Sequence, residues 1–333
     1  MKNILLIGGS GYIGTVLTEK LLHEQYNVVN IDMLIYNNES ANNKFIDHPN
    51  YKFINNNIVD KEELKSSINA DAVVVLAGLV GDPITKKYPK ESALINDIGI
   101  KNVIDICAFI DIEKFIFIST CSNYGLIKDS QLATEDFELN PLSLYAKSKV
   151  GAEKYIMSLK GKTDMNPTIL RFATAFGLSP RMRFDLTISE FTRELVLGNE
   201  LLIYDAKTWR PYCHVQDFAN LIQKVIESPK EKVSWEVFNA GGDINNATKQ
   251  MIVDKILEKI PNGKVNNKEF GSDPRNYKVD FKKVKSVLGF EPEFTIQDGI
   301  DELINKINNN EFHDVDKNRN FFGNYEINYR ISK

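Results

Sequence analysis

Apolar and polar residues alternate along this chain with two different periods, and the switches between them mark out its elements. Ile4-Leu5-Leu6-Ile7 is an unbroken apolar run, read as a buried strand. A glycine turn follows, Gly8-Gly9-Ser10-Gly11-Tyr12-Ile13-Gly14, and then Ile13, Val16, Leu17, Leu21 and Leu22 recur at helical spacing. A second apolar run, Val28-Val29-Asn30-Ile31, ends on Asp32. Strand, turn, helix and strand make one βαβ unit. The alternation continues with a short strand over 51–54, a short helix over 61–68 and an apolar strand over 72–76. A long helix over 91–110, a fifth strand over 114–120, a helix carrying Tyr145 and Lys149, and a sixth strand over 167–172 complete it. Strands separated by helices at these intervals predict a parallel, doubly wound α/β sheet of Rossmann type.

Beyond Gly177 the regular alternation stops, and segments rich in proline, arginine and aromatic residues appear. A helix over 215–227 and the apolar Val237-Phe238 are expected to return to the main core. Helices around 249–259 and 296–307 are expected to form a smaller α/β cap over the strand C-termini, where such sheets bind ligands. The expected division is a Rossmann domain over 1–176 plus 211–243, a cap over 177–210 plus 244–312, and a tail over 313–333. The tail carries Phe321-Phe322 and Tyr325, and is read either as docked, on the body or a neighbouring subunit, or as frayed. In the helix over 91–110, Leu94, Ile95, Ile98, Val103, Ile104, Ile106 and Cys107 exceed one apolar stripe, which points to packing against a second subunit.

Composition narrows the class. Hydrophobic residues make up 43% and charged residues 26%, as in a globular protein. A net charge of -4 supplies no basic field for nucleic acid or an anionic membrane. The apolar runs are too short to span a bilayer, and the first strand begins too early for a signal peptide. Cys107, Cys121 and Cys213 are widely spaced and the four histidines scattered, so neither a disulfide framework nor a metal site is expected. These features together predict a cytoplasmic protein. The asparagine clusters (Asn37-Asn38, Asn42-Asn43, Asn55-Asn56-Asn57, Asn308-Asn309-Asn310) are read as compositional, without a function.

The opening unit carries the first candidate chemistry. Gly8, Gly11 and Gly14, with Tyr12 and Ile13, form a turn in which a pyrophosphate can approach backbone N–H groups at the positive end of a helix. Asp32, followed by Met33, is placed to accept hydrogen bonds from an adenosine ribose. Its carboxylate would repel a 2′-phosphate and no arginine follows it directly, so NAD is expected rather than NADP. Asn57 and Ile58 are expected at the adenine edge, with Leu76, Ala77, Gly78, Ser119 and Phe172 along the rest of the cofactor. Tyr145 and Lys149, four apart on one helix, share a face, and Thr120 ends the neighbouring strand. The expected chemistry is proton abstraction from a hydroxyl by Tyr145 while hydride leaves the same carbon for NAD⁺. Lys149 would lower the phenol pKa and hold the nicotinamide ribose, and Thr120 would hydrogen-bond the reacting oxygen.

Taken together, GGSGYIG, Asp32, FISTCSNYG and YAKSK resemble the extended short-chain dehydrogenase/reductase family of nucleotide-sugar epimerases and dehydratases. The resemblance runs to about residue 305. It implies a nucleotide-diphosphate sugar as substrate. The surplus apolar face of the 91–110 helix separately predicts a homodimer or higher homo-oligomer, in which that helix and the Tyr145 helix pair with their copies in a four-helix interface. Arg210-Pro211-Tyr212-Cys213-His214-Val215-Gln216-Asp217 matches the family's Arg-x-Tyr-x-x-Val-x-Asp segment, which makes Arg210 a diphosphate ligand. Arg275, in Asp273-Pro274-Arg275, looks like the second, since two planar guanidiniums suit a diphosphate. Arg181 and Arg183 are candidates for the same cleft, as are Val80, Ser122 and Thr174.

The departures bear on the reaction. Where the 4,6-dehydratases carry Asp-Glu after the threonine, this chain has Cys121-Ser122, which disfavours dehydration. Arg171-Phe172-Ala173-Thr174 lacks the asparagine of UDP-galactose 4-epimerase, so substrate contacts there differ. Cys121 has no base beside it in sequence and is read as core or pocket lining, and His214 as a structural hydrogen-bonder. The leading expectation is oxidation at C4 of a nucleotide sugar, as a 4-epimerase or 4-dehydrogenase, with a GDP-linked heptose or deoxysugar among the substrates family likeness suggests. The alternatives are a reductase of a 4-keto nucleotide sugar and a non-catalytic NAD-sensing protein.

Overall fold

Alternate residues of each central strand point into two different apolar clusters, which is why these runs carry so few polar positions. The computed structural model describes residues 2–110, 112–128, 130–269, 271 and 275–329. Asp273 and Pro274, quoted above with Arg275, and residues 330–333 of the tail lie outside the described residues.

The strands are β1 (Asn3–Ile7), β2 (Asn27–Asp32), β3 (Tyr51–Asn55), β4 (Ala72–Val75), β5 (Lys114–Thr120), β6 (Pro167–Phe172), β7 (Thr174–Phe176), β8 (Glu200–Tyr204), β9 (Trp209–His214), β10 (Glu236–Ala240), β11 (Asn246–Thr248) and β12 (Lys264–Lys268). Seven of them form one sheet in the order β10-β6-β5-β4-β1-β2-β3. Every pairing in it is parallel. Chain direction across the sheet reverses between β1 and β4, and a cleft opens at such a switch point beyond the strand C-termini.

One face of the sheet places Ile4, Leu6, Val74, Ile116, Leu170 and Phe238 against the helices Tyr12–His23 and Val215–Glu227. The other places Leu5, Ile7, Val73, Val75, Phe115, Phe117 and Ile169 against Lys61–Ser67, Ile100–Cys107 and Leu144–Ser158. A third cluster, including Phe191, Leu195, Ile203, Tyr212, Ile252 and Ile300, sits under the cap. The cap joins helices Thr187–Val196, Lys249–Lys259 and Ile296–Asn308 to two small sheets, β11-β9-β7 and β12-β8. Helix Thr187–Val196 and the parallel β8–β12 pair are elements the apolar pattern had not singled out.

The long helix differs from the simple reading. It runs as Pro89–Ser92, a wider π-type segment Ala93–Gly99, and Ile100–Cys107. Of its seven apolar positions, Ile95, Val103, Ile104, Ile106 and Cys107 are buried against the chain's own sheet. Of those seven, Ile98 remains largely exposed and Leu94 half-buried, while Phe109, just past the helix end, is also exposed. No described helix is long and apolar enough to cross a membrane. The tail docks on the body: Phe322 is buried against Phe184 and Phe312, and its carbonyl accepts from the Phe184 N–H at 2.8 Å.

Candidate active site

The glycine turn is shaped by what surrounds it. Gly8 has φ +88°, and a Cβ there would lie 2.5 Å from the Ala77 backbone nitrogen. A Cβ on Gly14 would meet the Gly9 backbone at 2.6 Å. Gly11, by contrast, has nothing nearer than the Gly8 carbonyl oxygen at 3.5 Å and stands at the start of helix Tyr12–His23. The turn therefore presents backbone N–H groups and open space to the cleft, which suits a pyrophosphate. Asp32 accepts from the Ser10 and Leu34 N–H groups at 3.0 and 2.8 Å. Burial pushes its carboxyl above the usual range, against those two bonds. These residues fit NAD.

Two asparagines read as compositional support this turn. Asn38 Nδ2 donates to the Ser10 carbonyl at 2.7 Å, and Asn42 Oδ1 accepts from Ser10 Oγ at 2.9 Å and the Tyr51 hydroxyl at 3.1 Å. Asn30 Oδ1 accepts the Gly9 N–H at 2.9 Å. All three are buried, so each amide must find partners, and it finds them in the turn. On the far side, Asn96 in the π-type segment exchanges two hydrogen bonds with the Leu79 backbone, at 2.7 and 3.0 Å. That contact fixes the loop carrying Gly78 and Val80. A π-type turn aiming a polar side chain at a site is a recurring device.

Thr120, Tyr145 and Lys149 converge from β5 and helix Leu144–Ser158. Ser143 caps the helix through its hydroxyl to the Ala146 N–H. Lys149 is buried, donates to the Ile118 carbonyl at 2.7 Å, and lies 4.7 Å from the Phe117 ring centroid. Burial presses its ammonium down to about 8, with Glu153 opposing. Burial also pushes the Tyr145 phenol up, while Arg183 and Arg275 pull it down and Asp82 and Tyr277 raise it. Two arginines thus counter burial at the phenol. The Lys149 ammonium is turned toward the strand end, 5.9 Å from the Tyr145 ring centroid.

At the cap end, Arg210 donates to the carbonyl oxygens of Trp209 and Arg275, and its guanidinium lies 5.0 Å from the Tyr277 ring centroid. Arg275 donates to Ser122 Oγ at 3.2 Å and pairs with Asp82 at 3.3 Å. Ser122 Oγ also lies 3.2 Å from the Tyr277 hydroxyl. Arg183 is held by Asp185 through two bonds of 2.9 and 2.5 Å.

Every residue singled out in the sequence for cofactor, substrate or chemistry lines one cleft of about 640 Å³. Along the cofactor these are Gly8, Gly11, Tyr12, Ile13, Gly14, Asp32, Met33, Asn57, Ile58, Leu76, Ala77, Gly78, Ser119 and Phe172. Beside them are Thr120, Tyr145 and Lys149, then Val80, Ser122, Thr174, Arg181, Arg183, Arg210 and Arg275. Cys121 is not among them: its thiol is buried in the core and donates to the Arg171 carbonyl at 3.1 Å. His214 is also buried, with Nε2 2.8 Å from Glu302 and Nδ1 capping the helix that follows. Sequence reading missed Tyr36, Asp185, Tyr277, Arg319, Asn324 and Tyr325 in the cleft wall. No group of metal-ligating side chains occurs among the described residues.

A sequence model described as the NAD dependent epimerase/dehydratase family matches residues 4–241. The low-salt glycan biosynthesis protein Agl12 of Haloferax volcanii is 29% identical over 311 residues, covering 91% of this chain and 97% of that one. Among solved structures, UDP-glucuronic acid 4-epimerase from Bacillus cereus, in complex with UDP-glucuronic acid and NAD, superposes with a TM-score of 0.80. It is 25% identical and covers 92% of this chain and 99% of its own. The dTDP-glucose 4,6-dehydratase of Bacillus anthracis, in complex with NAD, gives 0.79 at 26% identity, with 93% and 98% covered.

Proposed function

The chain belongs to the NAD dependent epimerase/dehydratase family, and on that premise we propose that it oxidises C4 of a nucleotide-diphosphate sugar. The product is a 4-ketone, which it either releases or reduces from the other face. The observation that carries the reading is that Thr120, Tyr145 and Lys149 stand in one cleft while Cys121-Ser122 occupies the positions after Thr120. NAD, when bound, supplies the hydride acceptor and its return.

The chain's own part is to hold the sugar and move one proton. Tyr145 takes the C4 hydroxyl proton, and Thr120 donates to or accepts from that oxygen. The Tyr145 phenol needs positive charge to ionise: burial raises its pKa, Arg183 and Arg275 oppose that rise, and the bound nicotinamide would add further positive charge. Lys149, held by the Ile118 carbonyl with its ammonium 5.9 Å from the Tyr145 ring centroid, is assigned to the nicotinamide ribose. Arg210 and Arg275 bind the diphosphate. Arg275 must then exchange Asp82 for phosphate oxygens, a charge-assisted contact of greater strength. We assign cofactor binding to residues 1–176 plus 211–243 and nucleotide-sugar binding to 177–210 plus 244–312, with the β11-β9-β7 sheet joining the two. A surface polysaccharide precursor, such as a GDP-linked heptose or deoxysugar, is the substrate class we favour.

Elimination across C5–C6 needs an acid for the departing hydroxide and a base for the C5 proton. The Cys121 thiol is buried away from the cleft and its pKa is pushed up by burial, and a serine hydroxyl at position 122 is no base at neutral pH. Incubation with UDP-, GDP- and dTDP-sugars, followed by mass spectrometry and NMR, should give products equal in mass to substrate or lighter by two hydrogens. A product lighter by one water would remove the reading.

We also propose a homodimer in which helices Ile100–Cys107 and Leu144–Ser158, with exposed Ile98, Leu144 and Met157, pair with their copies. Light scattering at micromolar concentration should give twice the chain mass. A monomer alone would exclude it.

A further inference from the structure

Five buried side-chain atoms without a hydrogen-bond partner belong to residues of the same cleft: Tyr36 OH, Asn56 Oδ1, Asp82 Oδ1, Arg181 Nε and Asn324 Oδ1. Arg181 is the most costly of them. It is 2% exposed, and its Nη2 donates to the Asn320 and Gly323 carbonyls, each at 3.2 Å. Its guanidinium lies 5.0 Å from the Tyr36 ring centroid. It has no ion-pair partner among the described residues. The carboxylates whose charge reaches it are both engaged elsewhere, Asp32 by backbone N–H groups and Asp185 by Arg183 and the Asn324 N–H. Burial, and then the like charge of Arg183, presses its pKa down to about 10. A buried, unpaired cation is unfavourable unless a ligand supplies the anion.

The backbone that holds Arg181 comes from the other end of the chain. From Asn320 onward the tail crosses the cleft and ties its walls together. The Asn324 N–H donates to Asp185 and Asn324 Nδ2 to the Val80 carbonyl, both at 3.2 Å. Lys87 pairs with Glu326 at 3.0 Å. The Asn328 N–H donates to the Ile35 carbonyl at 2.7 Å, and Asn57 Nδ2 to the Tyr329 hydroxyl at 3.2 Å. Ile35 follows Asp32, and Asn57 lies just beyond β3, so these last contacts border the adenosine half of the site.

We propose that Arg181 is a ligand of the NAD pyrophosphate, and that segment 319–329 holds it there and straps the dinucleotide into the cleft throughout turnover. The pyrophosphate is the matching anion because Arg181 neighbours Tyr36 and Asp32, on the β2 side. The sugar-diphosphate candidates, Arg210 and Arg275, cluster with Ser122 and Tyr277 at the cap end. A phosphate oxygen would satisfy the free Nε and neutralise the guanidinium together. The proposal rests on NAD as the cofactor and not on which sugar carbon reacts.

The test uses the full chain loaded with NADH and passed through gel filtration. Retained nucleotide is quantified after acid release, and dissociation is followed by NADH fluorescence during a chase with excess NAD⁺. Wild type should retain nucleotide, Arg181→Gln should release it at least about tenfold faster, and Arg181→Lys should fall between. Asn328→Pro, which deletes the N–H bonded to Ile35, should speed release several-fold. Melting curves distinguish this role from a structural one. Without nucleotide, Arg181→Gln should melt no lower than wild type, because it removes an uncompensated charge. The upward shift on adding NAD should shrink. An unchanged release rate and NAD shift in Arg181→Gln would overturn the ligand assignment, and an unchanged rate in Asn328→Pro would overturn the strap.

Discussion

Tyr145→Phe should lower turnover by roughly a thousandfold, the middle of the range for general acid–base catalysis, while leaving nucleotide-sugar affinity within about threefold of wild type. The phenol hydroxyl is the one group removed, and its work is done when the C4 proton leaves. Binding of the diphosphate is assigned to Arg210 and Arg275, which the substitution does not touch. Interactions realised only in the transition state change the rate and not the affinity. The measurement is a turnover assay alongside calorimetric titration of the nucleotide sugar. Should turnover stay within tenfold of wild type, the proton passes through another group. Loss of affinity in step with rate would instead make Tyr145 a binding residue. Because the charges of Arg183 and Arg275 oppose the rise that burial imposes on the phenol pKa, replacing Arg183 should also slow turnover, though less.

What the sequence showed plainly was anything carried by a local period. β4 and β5 are apolar because both their faces are covered, and helix Val215–Glu227 was legible from one end to the other. The glycine turn, Asp32 and the Tyr145–Lys149 spacing were legible for the same reason: neighbours in sequence do the work. Contacts made across the chain left no such trace. Asn38 and Asn42 looked like composition because a buried amide has no period, and only the fold shows them holding Ser10. Arg181 meets Tyr36 and Gly323, far away in either direction, so its surroundings were invisible. Lys149 was expected to face the phenol, since both lie on one side of the helix. It lies 5.9 Å from the Tyr145 ring centroid, but its hydrogen bond goes to the Ile118 carbonyl of β5, a partner across the chain that the spacing could not show.

Glu153→Ala should be among the most destabilising single changes, at about 3–5 kcal/mol. Glu153 and Arg171 are nearly inaccessible, with side chains 5% and 6% exposed. Arg171 grips Glu153 through Nε at 3.2 Å and Nη2 at 2.7 Å, and Glu153 also accepts from Ser119 Oγ and from Asn123 Nδ2 at 2.8 Å. One carboxylate thus joins the helix bearing Tyr145 and Lys149 to β5, to the turn after Thr120 and to β6. Its removal leaves a guanidinium buried without a counter-charge, though Arg171 still reaches the Tyr124 hydroxyl and the Glu135 carbonyl. In a chain of this size the loss should appear as a fall of about 4–7 degrees in melting temperature. Replacing both partners by apolar residues, Glu153→Leu with Arg171→Met, should cost less than Glu153→Ala alone, because no charge is then stranded. If the single change melts within two degrees of wild type, the pair is not the fastening described. If the double change is the worse of the two, the hydrogen bonds to Ser119 and Asn123 outweigh the charge, and the catalytic helix is held by them instead.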